Sequence, residues 1–153
     1  MNILAATNAF DLRAALLAAH AQHPVIVHFP IALFIASVFF EILAIWRNQP
    51  IFATVAYYNL VGAALSLPFT IASGLAAWHW QVEGATLKGN LRLHLVLALT
   101  TAAIVIALYL KRFRLRSKGQ QPGVAYFALM TFGLLIITLT GHLGGILSGV
   151  ESP

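Results

Sequence analysis

His23-Pro24-Val25-Ile26-Val27-His28-Phe29-Pro30 runs without a break into Ile31-Ala32-Leu33-Phe34-Ile35-Ala36, and the apolar character continues as far as Trp46-Arg47. A helix of roughly 20 apolar residues crosses the hydrocarbon of a bilayer, so this stretch reads as a membrane span with two imidazoles and two prolines at its mouth. Ionisable nitrogens are thereby delivered to one membrane face. Pro24 suits a first helical turn, whereas Pro30 either starts the regular helix or kinks it by leaving the carbonyl of Ile26 without a donor. A non-standard backbone is expected around His28.

Three further apolar segments follow. The second, about residues 52–80, has Tyr57-Tyr58 near one end and Trp78-His79-Trp80 at the other, a pair of interfacial aromatic belts. Its Gly62, Ser66 and Ser73 share a stripe that permits close helix approach or a flat cofactor, and Pro68 is expected to bend it. A polar loop from Gln81 to Asn90 precedes the third span, about 91–110, which opens with Arg92 and His94 and runs into Lys111-Arg112-Phe113-Arg114-Leu115-Arg116-Ser117-Lys118. After the turn Gly119-Gln120-Gln121-Pro122-Gly123, the fourth span, about 124–147, closes with Thr140-Gly141-His142-Leu143-Gly144-Gly145.

The expected fold class is all-α, an integral membrane four-helix up-and-down bundle over residues 23–150, preceded by a short interfacial helix within 1–22. Thr7 or Asn8 caps that helix, and Phe10, Ala14, Leu17 and Ala21 share its apolar face. Asp11 and Arg13 interrupt the N-terminal run and no basic stretch precedes it, which argues against a secretory leader.

Composition agrees and narrows the chemistry. Hydrophobic residues are 60% and charged residues 8% of 153 positions, with a mean hydropathy of +0.87, far outside the soluble range. Four spans use up the chain and leave no room for a soluble catalytic domain. The net charge of +5 does not argue for nucleic acid, because five of the nine basic residues sit in the 111–118 stretch, where a topogenic contact with anionic lipid explains them. With no cysteine, disulfides, thiolate metal sites, iron–sulfur ligation and covalent c-type haem attachment are all excluded. A metal or haem would be held by histidine, methionine or oxygen.

Alternation places Arg47 and the 111–118 cluster, six cations, at one face and Arg13, Lys88 and Arg92 at the other, so the former is expected to be cytoplasmic and both termini periplasmic. All six histidines then fall in the outer half. Measured at 1.5 Å per residue from the inner markers, His28, His94 and His142 lie at similar heights of roughly 25–30 Å, with His79 further out at about 33 Å. Taken singly, each would be an interfacial histidine bonded to a carbonyl or water, and His20 and His23 are read that way. Four helices that each supply one imidazole to one end favour a shared site.

Bis-histidine haem b is the leading candidate, since two imidazoles from facing helices ligate the iron while small residues admit the macrocycle. Spans one and three, and two and four, are the diagonals of such a bundle. His28 with His94 is therefore the first ligand pair, and His79 with His142 the second pair or partners of the propionates. One haem is expected, or two only in a splayed or staggered bundle. The same four histidines are the candidate metal ligands for a non-haem copper, zinc or iron site, and a cofactor-free membrane anchor or assembly subunit is the third reading. Glu41 shares a stripe with His23, Pro30 and Ser37 and lies about 19 Å from His28 along the helix. It reads as a carboxylate satisfied by Arg47 or a serine, with a proton- or quinone-side role as the alternative. No nucleophile–base or carboxylate pair converges, so an electron-transfer subunit is favoured over a stand-alone enzyme.

His23-Pro24-x-x-Val27-His28-Phe29-Pro30-Ile31-Ala32-Leu33, Ser73-Gly74, His94 and Gly141-His142-Leu143-Gly144-Gly145 together resemble the bacterial membrane-protein family known as domain of unknown function 2231, over roughly residues 20–150. The resemblance implies four transmembrane helices related to b-type cytochromes. Relatives occur fused or adjacent to cupredoxin-like, Rieske-type or c-type cytochrome modules. That implies a bacterial inner-membrane protein in contact with lipid, passing electrons between such a periplasmic partner and quinone or a companion subunit.

Overall fold

The computed structural model describes residues 19–81 and 86–148, which form four helices: α1 (Ala19–Arg47), α2 (Pro50–Gln81), α3 (Gly89–Ser117) and α4 (Val124–Leu147). Each is long and apolar enough to cross a membrane. The all-α membrane bundle expected from hydropathy is what the chain builds. The interfacial helix expected before residue 19 lies outside the described residues.

The first three helices extend beyond the anticipated spans. α1 passes through Pro24 and Pro30 without interruption, although each proline withdraws a donor from the carbonyl four residues earlier. The backbone around His28 is thus helical, and the ring Nδ1–H of His28 donates to the carbonyl of Pro24. α3 continues through the basic cluster to Ser117 because Lys and Arg are good helix formers once beyond the hydrocarbon. It stops at Gly119, whose positive φ of 63° no β-carbon opposes. Gly119 N–H bonds the carbonyl of Arg116 and Gln120 N–H that of Leu115, the paired bonds of a Schellman cap. Between α1 and α2 the turn is made by Asn48 at φ 50°, a residue that tolerates this region, and Pro50 occupies the first helical turn.

α1 packs most extensively on α2 and α3 on α4; the α2–α3 contact is smaller, and α1 meets α4 along a narrow seam. Phe34, Leu60, Ala63, Leu67, Ile104, Val105, Leu108, Met130 and Ile137 form the buried core, while Phe39, Phe69, Leu65 and Val124 are among many large apolar side chains left exposed around the bundle. In lipid such exposure is no cost, and association rests on close packing rather than on apolar burial. Small residues provide it. A β-carbon on Gly62 would stand 3.1 Å from Leu33 Cδ1, and one on Gly133 would stand 2.9 Å from Ile104 Cγ2 and 3.1 Å from Phe34 Cζ. The stripe on α2 therefore admits α1, and Gly133 lets α1, α3 and α4 meet at mid-depth.

Candidate functional site

An ionised side chain inside a membrane helix turns towards the bundle, and Glu41 accordingly sets the rotational phase of α1. It is 3% exposed and lies 2.8 Å from Arg112 Nε, an ion pair rather than an aligned hydrogen bond. The partner is Arg112 of α3, not Arg47, which stays exposed with its guanidinium 4.6 Å over the ring of Trp46. Tyr126 of α4 and Ser37 of α1 are also buried at this end, and their hydroxyls find no hydrogen-bond partner among the described residues.

Eighteen residues are five helical turns, about 27 Å. His23 precedes Glu41, and His94 precedes Arg112, by that interval. α1 and α3 run parallel as the diagonal of the bundle, so the same faces that join Glu41 to Arg112 at one end bring His23 and His94 together at the other. The two imidazoles are partly buried, one on each helix of that diagonal.

Each ring is held by one nitrogen. The Ser73 hydroxyl donates to the carbonyl of Thr70 at 2.9 Å, so its oxygen accepts from His23 Nδ1–H at 2.8 Å. The carbonyl of Thr140 accepts from His94 Nδ1–H at 3.1 Å. A second tie steadies that turn: Thr140 Oγ1 donates to the carbonyl of Ile136 at 2.7 Å and lies 3.3 Å from Thr101 Oγ1. Because Nδ1 is the donor in both rings, the neutral tautomer of each presents an unprotonated Nε2. Glycines back the rings. A β-carbon at Gly74 would meet His23 Cε1 at 3.1 Å, and one at Gly144 would meet His94 Cε1 at 3.3 Å. Ser73-Gly74 and the first glycine of Gly144-Gly145 are thus contacts of the two imidazoles.

The other candidate histidines are placed differently. His28 is exposed and turned back to its own helix, and His79 and His142 are exposed at the ends of α2 and α4. His94 is the member of the expected set that faces the bundle; the residue opposite it is His23 rather than His28. The signal was present in the stripe His23–Pro30–Ser37–Glu41, since five residues rotate a helical position by about 140°. A carboxylate facing inward carries His23 inward with it and His28 away. Among the described residues, no three histidine, aspartate or glutamate side chains gather in a way that could hold a metal ion.

A family model described as "Predicted membrane protein (DUF2231)" matches residues 19–150. No curated protein and no solved structure matches the chain. Its match takes in all four helices together with His23, Ser73, Gly74, His94 and Gly144, and the chain belongs to the DUF2231 family of predicted membrane proteins.

Proposed function

We propose that the chain is a membrane electron-transfer subunit that holds haem b through Nε2 of His23 and Nε2 of His94. The observation that carries this reading is the placement of those two imidazoles on diagonal helices with both Nδ1 atoms tied down. Hydrogen-bonding the outer nitrogen sets the tautomer, aims the ring and raises the basicity of the ligating nitrogen. The donor set fits the group: two neutral imidazoles, no thiolate, and glycines where a side chain would crowd each ring. Bound there, haem b would supply a one-electron couple.

The protein's own contribution is to fix the two rings and keep the surroundings apolar. Ser73 and the carbonyl of Thr140 orient them, and lipid-facing side chains exclude water below. A site of three or four imidazoles around copper, zinc or iron has less support, because the described histidines pair rather than cluster. Arg47, Lys111, Arg112, Arg114, Arg116 and Lys118 support a cytoplasmic location for the opposite end by the positive-inside rule. The histidine end then faces the periplasm of a bacterial inner membrane, where a cytochrome c, cupredoxin or Rieske-type protein would exchange electrons with it. Quinone or a companion subunit would serve as the partner within the bilayer.

A cofactor-free anchor is the second reading. It is favoured by the same hydrogen bonds, which stitch α1 to α2 and α3 to α4 without any bound group. Purified full-length protein, assayed for iron and by pyridine haemochrome, separates the two. About one haem per chain supports electron transfer; a folded, haem-free and iron-free protein from haem-supplemented cells leaves the anchor.

A further inference from the structure

The five cations of the basic cluster do three different jobs. Arg112 turns inward to Glu41, the only carboxylate among the described residues. Arg116 reaches across to α2, with its guanidinium 5.0 Å over the ring of Tyr57 and 3.4 Å from Thr54 Oγ1. Lys111 and Arg114 are left on another side of α3, and with Lys118 just past its end and Ala107, Leu110, Leu115 and Gln120 they line a groove of about 390 Å³.

That groove runs along the helix, because its α3 residues recur at three- and four-residue steps. Ala107 and Leu110 lie at the membrane-core end; Lys118 and Gln120 lie beyond it, past the end of α3. The lining is small at Ala107 and apolar at Leu110, so the inner part suits an acyl chain. Over the outer part, three cations fall within about 10.5 Å of rise, a spacing that surrounds one phosphodiester. Arg114 matches two phosphate oxygens with its planar fork, and the lysines add point charges on either side. No described carboxylate competes for them.

We propose that this groove is a specific site for one anionic glycerophospholipid, its phosphate among Lys111, Arg114 and Lys118 and one acyl chain along Ala107 and Leu110. The site is separate from the histidine pair and does not depend on what that pair binds. It differs from a diffuse basic collar in having a shape, and shape is what the test addresses.

Full-length protein in mixed phosphatidylglycerol–phosphatidylcholine nanodiscs, released into native mass spectrometry, reports the lipid retained. The wild type is expected to keep one phosphatidylglycerol in preference to phosphatidylcholine. Each cation contributes about fivefold, so Lys111→Gln/Arg114→Gln/Lys118→Gln is expected to weaken retention about a hundredfold. Ala107→Trp, at an exposed position that tolerates bulk, fills the groove with all charges kept and is also expected to abolish preferential retention. Arg47→Gln, at the same end but off the groove, is expected to retain the lipid. Retention unchanged in Ala107→Trp, or lost equally in Arg47→Gln, overturns the site. Displacement of the lipid by millimolar inorganic phosphate would assign the cations to a free anion and overturn it as well.

Discussion

The two ends of the α1–α3 diagonal share one geometry and differ in chemistry. At the inner end Glu41 and Arg112 neutralise each other, and the pair is closed. At the outer end His23 and His94 are two like bases, each with its Nδ1 bound within the protein. Opposite charges in a low-dielectric setting make a clasp that sets helix phase; two imidazoles cannot do this for themselves. The difference teaches that one diagonal serves two purposes: the inner pair locks the rotation of α1 and α3, and that lock aims the outer pair.

Removing one half of the clasp has the largest expected effect. Arg112→Ala leaves the Glu41 carboxylate buried without its counter-charge and should cost about 3–5 kcal/mol, read as a lowered midpoint in denaturation from detergent micelles. Glu41→Leu/Arg112→Leu should recover most of that loss. A cost under about 1 kcal/mol for the single change would mean the clasp is solvated and does not set the phase.

Next comes the joint between the ends. Gly133→Ala forces a β-carbon against Ile104 and Phe34 and should cost about 1–3 kcal/mol. It should do so without altering the outer pair's ligand chemistry. If that chemistry fails first, the ends are coupled through the middle rather than aligned by it.

A smaller effect is expected at the outer ties. Ser73→Ala removes the hydrogen-bond acceptor of His23 Nδ1–H at a cost of about 1 kcal/mol. In the haem-bearing protein it should also lower the basicity of that ligand and shift the midpoint potential, which Ser73→Thr should restore. An unchanged potential would place Ser73 in packing alone. Least of all, Arg116→Gln loses an exposed cation–aromatic contact and should shift stability by less than about 1 kcal/mol.

Much of this was legible in the residues. Four spans follow from apolar runs of bilayer length, and their turns from Asn48-Gln49-Pro50 and from Gly119 with the residues around it. That the histidines gather at one end follows from alternation alone. Which histidine faces inward is a matter of rotation, and the end of the helix nearest the prolines draws attention to His28 while the phase is set at Glu41, five turns below His23. The inward turn of Arg112 was hidden for a different reason. Within five closely spaced cations no local pattern marks one as buried, and only the partner carboxylate on another helix selects it. Tyr126 carries no sequence signal of its own and Ser37 stands only as a member of the Glu41 stripe, until the packing of the helices buries both hydroxyls at that end.

The central claim is that His23 and His94 are the ligand pair, and the visible spectrum of single-histidine variants tests it most directly. Purified full-length protein is expected to show the Soret and α bands of a low-spin bis-histidine haem b, lost in His23→Ala and in His94→Ala and kept in His28→Ala, His79→Ala and His142→Ala. A spectrum that survives His23→Ala and disappears in His28→Ala would contradict it.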